Sequence, residues 1–305
     1  MNNAFARAPQ RVGVRPPRAP AIYRHGPFTV RVTTPLRRLR ALLSWCYGDS
    51  EPDAGTVLVH FDLQVRQGPL LRRLFSPQAI FRTDTATPFA PFPRSHAFPL
   101  LEWGLNWCVA TRAHQFLMLH AGVLERDGYA LVLPAVPGSG KSTLTAALAL
   151  RGWRLLSDEF GLLDWRTGLL MPLPRAIPLK NRSIRVIRDF APEAELGPVF
   201  PKTRKGDVAH LRPPAESRRR QHESAQPAWI VFPRYVRNSP LQLAGLHDST
   251  AFTRLSQNAF NYRLLGATGF DALTQLVRSC RCWSAQFGDL NAMITAIDHL
   301  PVPEM

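Results

Sequence analysis

The chain of 305 residues has the composition of a globular protein, with 45% hydrophobic and 20% charged residues. Its 19 glycines and 28 prolines stay below the level of low-complexity chains, so fibrous and fully disordered classes are excluded. A formal net charge of +16 favours phosphate-bearing or acidic partners but does not determine a fold. At roughly 150 residues per domain, the length predicts one or two domains.

The sequence gives no sign of membrane insertion or of export. No apolar run reaches the roughly 18 residues of a membrane span, and the first twenty residues lack a hydrophobic signal segment. We therefore expect a cytoplasmic protein. Cys46, Cys108, Cys280 and Cys282 are too few and too scattered for a disulfide scaffold, and a single C-x-C lacks the second ligand pair of a zinc site.

The N-terminal part divides into a tail and a small folded region. Residues 1–22 hold four arginines and repeated prolines without apolar periodicity, which predicts a disordered basic tail. Residues 23–112 predict an α+β region, with strands in PFTVRVTT and GTVLVHFDLQVRQG and a short helix, LRRLRALLSWC, between them. A second helix, FPLLEWGLNWCVATRA, places Trp103 and Trp107 on one face, where packing is the expected use of both rings.

The centre of the chain begins with a predicted hairpin. Two apolar runs, QFLMLHAGVLE and YALVLPA, are joined through Asp127 and Gly128, and Asp-Gly is a strong signal for a two-residue turn. With these residues as the turn, opposed positions place His120 across from Ala135, about 5 Å away between neighbouring strands. The hairpin thus brings a histidine beside the segment that follows Ala135.

That segment, AVPGSGKST at 135–143, has the P-loop pattern with an alanine at the position of the first glycine. Gly138 and Gly140 tolerate the dihedral angles that turn backbone amides towards phosphate oxygens. Lys141 would reach the β- and γ-phosphates, and Ser142 would place its hydroxyl on Mg²⁺. The predicted nucleotide-binding residues are Ala135, Val136, Pro137 (which lacks an amide donor), Gly138, Ser139, Gly140, Lys141, Ser142 and Thr143.

The context of the loop predicts a strand–helix–strand unit, because the helix TLTAALALRG follows it and the strand WRLLS comes next. Parallel strands end at the same sheet edge, so Asp158 and Glu159 are expected near Ser142. One carboxylate would hold Mg²⁺, and the other would accept the proton of an attacking hydroxyl. The alternative is a solvated acidic turn.

These motifs resemble the HPr kinase/phosphorylase family, and more closely the bacterial HprK-related kinase A group. The resemblance is carried by His120 with the following Ala-Gly-Val-Leu, by Gly140-Lys141-Ser142 and by Leu155-Leu156-Ser157-Asp158-Glu159. It implies an α/β P-loop kinase core of the HPr kinase/PEP carboxykinase-like type at 113–305, using ATP and Mg²⁺. It also implies Asp158 as the catalytic base, His120 as its neighbour, Lys141 as the phosphate clamp, and Ser142 and Glu159 as metal ligands.

The match departs from the family in several places. Thr143 stands where HPr kinases have an acidic residue, Glu159 stands where they have a second aspartate, and the glycine-rich second signature is not found. The resemblance therefore does not extend to phosphorylase activity. The first 110 residues do not resemble the family's regulatory domain. The family's hexameric assembly is therefore not inferred for this chain, although homo-oligomerisation stays an open alternative.

The resemblance implies a peptide or small-protein acceptor, because the HprK-related group is associated with a PqqD-like peptide-binding protein. Kinase action on a small metabolite and a nucleotide-dependent scaffold without phosphoryl transfer stay open. Nucleic-acid binding has no recognition motif in its favour. Downstream cations could steady the nucleotide, draw in an acidic partner, or lie in solvated loops: Arg175, Lys180, Arg182, Lys202, Arg204, Lys205 and Arg212.

Overall fold

The computed structural model describes residues 20–48, 58–69, 75–136 and 138–302, and over these ranges the fold is a mixed α/β one. The strands are β1 (Ala21–His25), β2 (Phe28–Thr33), β3 (Phe61–Gln67), β4 (Gln78–Thr83), β5 (Phe92–Pro93), β6 (Leu117–Leu119), β7 (Ala121–Arg126), β8 (Tyr129–Pro134), β9 (Arg154–Ser157), β10 (Gly161–Asp164), β11 (Leu169–Met171), β12 (Ile177–Lys180), β13 (Phe200–Thr203), β14 (Gly206–Leu211), β15 (Gln226–Tyr235), β16 (Gln242–Gly245) and β17 (Arg281–Phe287). The helices are α1 (Arg37–Tyr47), α2 (Ala97–Arg112), α3 (Lys141–Leu150), α4 (Arg182–Phe190), α5 (Ala215–Arg219), α6 (Asp248–Asn258), α7 (Tyr262–Leu265), α8 (Ala267–Ser279) and α9 (Leu290–Asp298), with a 3₁₀ turn at Arg94–His96.

The N-terminal part forms a five-stranded sheet in the order β1-β2-β3-β4-β5. Leucines of α1 at positions 39, 42 and 43 recur at helical spacing and are buried, which is why this short segment forms a helix. Helix α2 packs against α1, β3 and β4. Both helices were predicted, whereas strand β1 begins at Ala21, inside the predicted tail; the tail's residues 1–19 lie outside the described ranges.

The apolar core of this region includes residues that come much later in the chain. Phe160, Leu173 and Phe200 belong to the same buried cluster as Tyr23 and the other residues of the N-terminal sheet. At the turn between β1 and β2, the backbone N–H of Gly26 donates to Gln221 Oε1 at 3.1 Å. The N-terminal sheet is therefore packed onto the rest of the molecule through a shared core.

The central sheet has six strands in the order β16-β17-β15-β8-β7-β9. Strands β8, β15 and β17 run parallel to one another, while β7 runs antiparallel to both β8 and β9. Strands β8 and β9 are consequently parallel, as the sequence predicts for a strand–helix–strand unit. They are not neighbours, however, because β7 lies between them.

The hairpin β7–β8 has the predicted turn and register, with Ala121 opposite Pro134 and Arg126 opposite Tyr129. The predicted first strand, by contrast, is not continuous, because it breaks at His120 into β6 and β7, which belong to different sheets. The backbone N–H of His120 donates to the carbonyl of Asn258 at 2.8 Å, so His120 lies outside the ladder to β8. His120 therefore links β6, in the sheet of order β11-β10-β6, to β7 of the central sheet.

Successive residues of the central sheet point to opposite faces, and both faces are buried. Leu131 of β8 packs in the cluster that contains Leu148 of α3, whereas Val132 packs in the cluster that contains Leu273 of α8. The sheet is therefore covered on both sides, with α3 on one face. Strand β15 and helix α9 confirm the predictions for AWIVFPRYV and LNAMITAIDHL.

The predicted strand over 55–68 is shorter in the structure, where β3 begins at Phe61; residues 55–57 lie outside the described ranges. All four cysteines are buried as free thiols. No helix within the described ranges has the length and apolar character needed to cross a membrane.

Helix α3 approaches β7 closely at Gly122. A Cβ atom on Gly122 would lie 2.2 Å from Thr145 Oγ1, and Thr145 is fully buried. We expect Gly122→Ala to destabilise the fold by about 1–3 kcal/mol, because this overpacking must push α3 off the sheet. The free energy of unfolding, measured with denaturant, tests this value.

Gly245→Ala is the matched control, because a Cβ atom there would meet nothing within 4 Å. Its expected effect is within about 0.5 kcal/mol. Adding Thr145→Ala to Gly122→Ala should restore part of the lost stability, since it removes the clashing hydroxyl, which has no hydrogen-bond partner in the structure. Equal losses in Gly122→Ala and Gly245→Ala would contradict the close approach.

Candidate active site

Two glycines give the loop between β8 and α3 a backbone conformation that other residues rarely adopt. Gly138 and Gly140 have φ angles of +89° and +88°, in the left-handed region that favours glycine. A Cβ atom on Gly140 would lie only 2.9 Å from Tyr235 Cβ, so that position also lacks room for a side chain. The N–H of Tyr235 donates to the carbonyl of Ser139 at 2.8 Å and anchors the loop to β15. Pro137 lies outside the described residues.

Two polar side chains of the loop are buried in a way that suits a bound phosphate. The Ser139 hydroxyl is buried and has no hydrogen-bond partner, and the Lys141 side chain is buried at the N-terminus of α3. A buried unpaired hydroxyl is costly unless a ligand satisfies it. A phosphate group would accept hydrogen bonds from both residues while interacting with the positive end of the helix.

Asp158 lies directly against this loop, as the sequence predicts for the end of β9. Ser142 Oγ donates to Asp158 Oδ2 at 2.9 Å, and Lys141 Nζ lies 3.3 Å from Asp158 Oδ1. Lys141 also donates to the backbone carbonyl of Asp158. Asp158 is only 4% exposed, so the alternative of a solvated acidic turn is wrong for this residue.

Glu159 is the partner of His120. His120 Nε2 lies 3.5 Å from Glu159 Oε2, whereas the resemblance implied Asp158 as the neighbour of the histidine. Adjacent residues in a turn direct their side chains differently, so Asp158 contacts the loop and Glu159 the histidine. Burial raises the pKa of Glu159, but the hydrogen bond to His120 and the charge of Lys141 outweigh burial and hold that pKa well below its usual range.

The remaining predicted loop residues differ in their surroundings. Ala135 is buried and Val136 is exposed at the surface. Thr143 Oγ1 donates to Ser183 Oγ at 2.9 Å, which joins α3 to α4. The Thr143 side chain therefore has a structural contact, although its backbone belongs to the loop.

A cavity opens beside Asp158 and Glu159, on the side formed by later strands and by α2. It is lined by acidic, basic and aromatic side chains, among them Trp103, Asn106, Asp158, Glu159, Arg175, Lys180, Lys205 and His210. Of the downstream cations singled out in the sequence, Arg175, Lys180 and Lys205 line this cavity. Arg204 instead lies over the Phe92 ring at 4.7 Å, and Arg212 bonds Glu195 at 3.0 Å.

Helix α2 contributes one wall of the cavity through a buried ion pair that sequence reasoning missed. Arg175 donates to Glu102 Oε2 at 2.6 Å and to the Glu102 carbonyl at 2.9 Å. The Tyr47 hydroxyl donates to Glu102 Oε1 at 2.9 Å, and Arg175 also donates to Asn106. The N-terminal region thereby fixes the position of a cavity residue.

His210 is a further residue of the cavity that no sequence signal marked. It is 1% exposed, and neither ring nitrogen has a hydrogen-bond partner in the structure. Burial, assisted by the charge of Arg175, lowers the pKa of His210 to about 4, so the ring is neutral at physiological pH. Its ring meets that of Phe98 edge-on, with centroids 5.0 Å apart.

The described residues contain no group of three His, Cys, Asp or Glu side chains able to hold a metal ion alone. Mg²⁺ in phosphoryl-transfer sites is bound through one or two carboxylates together with substrate phosphates, so a smaller protein set suffices. Ser142 Oγ is hydrogen-bonded to the Asp158 carboxylate, and Glu159 follows directly in the chain. One hydroxyl and two carboxylates therefore supply oxygen ligands at this place. The donor set fits Mg²⁺.

No protein-family model matches the chain, and no curated protein matches it.

Proposed function

We propose that this protein is an ATP-dependent kinase that transfers the γ-phosphoryl group to a hydroxyl, most simply that of serine, in a peptide or small protein. The observation that carries the proposal is the contact of Lys141 and Ser142 with Asp158 at the mouth of the glycine-bearing loop. P-loop enzymes use a lysine to bind phosphate, a serine or threonine to bind Mg²⁺, and a carboxylate as metal ligand or catalytic base. The core is accordingly proposed to be a P-loop kinase core of the HPr kinase/PEP carboxykinase-like type.

In the proposed mechanism, loop amides and Lys141 hold the triphosphate, and Ser142 with Glu159 would hold Mg²⁺. The metal ion would neutralise part of the negative charge on the phosphate oxygens. Asp158 both contacts the loop and lines the cavity, so an acceptor hydroxyl in the cavity can reach it. Asp158 takes the proton of that hydroxyl, and His120 positions Glu159 through their contact at 3.5 Å.

Nucleotide binding is tested with Lys141→Ala. Mg²⁺ and ATP should raise the melting temperature of the wild-type protein, because a ligand that binds only the native state stabilises it. Lys141→Ala should lose most of this shift, since it removes the buried ammonium at the loop. Lys202→Ala, at an exposed lysine of β13, is the control and should keep the full shift. An unchanged shift in Lys141→Ala would refute the nucleotide assignment.

Labelled-phosphate transfer from ATP in a lysate of the source cell separates the alternative functions. A labelled protein band supports the proposed peptide or protein acceptor, which a PqqD-like peptide-binding protein would present. A labelled small molecule would favour a metabolite kinase. ATP binding without transfer would favour a nucleotide-dependent scaffold, which needs no base, so Asp158 would then have no proton to accept.

A further inference from the structure

We infer that the cavity beside Asp158 binds an anionic group of the acceptor, so that the phosphorylated hydroxyl lies close to a carboxylate in the acceptor. This inference rests on the proposed function and names the substrate class of the same site. It starts from Lys180 and Lys205, which line the cavity. Among the described residues, neither ammonium group has a carboxylate partner within 4 Å.

Most of the other charged side chains of the cavity have partners. Arg175 pairs with Glu102, and Asp158 lies against Lys141. Glu159 lies against His120. When Lys141 is counted, four cations face three carboxylates around the cavity, so one positive charge is in excess. A cavity of this kind favours an anion over a neutral or cationic group.

The two lysines are held close together by the strands that carry them. Lys180 ends β12, and Lys205 lies in the turn between β13 and β14. The N–H of Asn181 donates to the Asp207 carbonyl at 2.8 Å, and the N–H of Asp207 donates to Asn181 Oδ1 at 3.0 Å. Partial burial and the nearby charge of Lys180 lower the pKa of Lys205, and the charge of Glu159 offsets only part of this shift.

The Lys205 side chain is also positioned from the N-terminal region. Its Nζ lies 5.2 Å from the centroid of the Trp103 ring, in a cation–π contact. The ammonium is therefore held at the cavity by an aromatic surface from α2, in addition to the β13–β14 turn. Helix α2 and the β13–β14 turn thus both hold Lys205 at the cavity.

A second and independent observation also indicates a ligand. Both ring nitrogens of His210 are buried without partners, and His210 lines the same cavity as the two lysines. Unpaired buried polar groups cost free energy, and a polar ligand is one of the ways in which proteins satisfy them. A carboxylate on the lysines would bring oxygen atoms to this end of the cavity.

The substrate class follows from the reach of a peptide. Lys180 and Lys205 line the same cavity as Glu159 and Asp158, so an anion on the lysines and a hydroxyl at Asp158 would share that cavity. One residue of extended chain spans about 3.3–3.6 Å. We therefore assign the acceptor as a serine with an aspartate or glutamate within two residues.

The test uses synthetic serine peptides and labelled ATP. One set carries Asp or Glu beside the serine, a second carries Asn or Gln, and a third carries Lys. We expect the acidic set to be labelled at least about tenfold faster than the amide set, the scale of one charge-assisted hydrogen bond. The double variant Lys180→Ala/Lys205→Ala should lose this preference with an unchanged KM for ATP, while Lys202→Ala keeps it.

Charge reversal gives a stricter check, because Lys205→Glu should shift the preference towards the lysine-containing peptides. A wild-type enzyme that labels all three sets equally would overturn the inference. So would a double variant in which the KM for ATP rises while the acidic preference stays, because the lysines would then serve the nucleotide. Small hydroxy acids form a parallel arm, and labelling of these alone would place the carboxylate in a metabolite.

A measurement without phosphoryl transfer separates failure of this inference from failure of the proposed function. Acetylation of lysines is followed by mass spectrometry with succinate or with succinamide as the probe. Succinate should protect Lys180 and Lys205 saturably, and neither probe should protect Lys202. Protection without any ATP binding would keep the anion site and refute the kinase. ATP binding without protection would refute the anion site and leave the kinase proposal standing.

Discussion

Asp158→Asn is expected to reduce phosphoryl transfer by about 10²–10⁴-fold, the usual contribution of a general base. The amide keeps the shape of the side chain but cannot take a proton from the acceptor hydroxyl. The hydrogen bond that Ser142 Oγ makes at 2.9 Å can be kept by the amide oxygen, so ATP affinity should change little. The initial rate of transfer and the affinity for ATP are measured on the same preparations.

Asp164→Asn is the matched control, because Asp164 ends β10, where its side chain accepts a hydrogen bond from the Arg166 N–H at 3.0 Å. It should transfer phosphate at the wild-type rate. His120→Ala should show a milder loss than Asp158→Asn, since His120 acts through Glu159. Full activity in Asp158→Asn would refute the mechanism, and loss of ATP binding would reassign Asp158 as a metal ligand.

Glu102→Gln is expected to destabilise the protein by about 3–5 kcal/mol, the usual cost of leaving one member of a buried ion pair uncompensated. Glutamine keeps the size of the side chain but removes the charge that faces Arg175 at 2.6 Å. Because domains are stable by only about 5–15 kcal/mol, this loss should be evident in the free energy of unfolding.

Glu195→Gln provides the comparison, since Glu195 bonds Arg212 at 3.0 Å while 56% of its side chain is exposed. Exposed pairs contribute about 0–1 kcal/mol. Replacing both members of the buried pair, as Glu102→Leu with Arg175→Met, should recover most of the stability lost in Glu102→Gln, because no charge is then left unpaired. Similar losses in Glu102→Gln and Glu195→Gln would contradict this role of the pair.

The parts of the site that follow from local sequence were predictable. The Asp127-Gly128 turn sets the register of the hairpin, and the glycines at 138 and 140 adopt the positive φ angles that their spacing implied. The end of β9 brings Asp158 to Ser142 because the crossover direction of a strand–helix–strand unit is fixed by general rules.

The parts that depend on long-range packing were not predictable. The Glu102–Arg175 pair joins residues 73 positions apart, and neither side chain carries a local sign of its partner. His120 contacts Glu159 through its side chain, while its backbone is bonded to Asn258. This contact depends on a segment that hairpin reasoning does not include. The apolar pattern of β7 likewise predicts a strand, but it does not predict that β7 lies between β8 and β9.

The shared core of the N-terminal sheet has a consequence for synthesis. Tyr23 and its neighbours are covered in part by Phe160, Leu173 and Phe200, and the β1–β2 turn is bonded to Gln221. On the ribosome, which adds about 5–20 residues per second, the first strands leave the exit tunnel several seconds before these later residues exist. During that interval the nascent chain exposes apolar surface and unpaired strand edges, the features that chaperones bind. The N-terminal region reaches its native packing only once translation has passed residue 221.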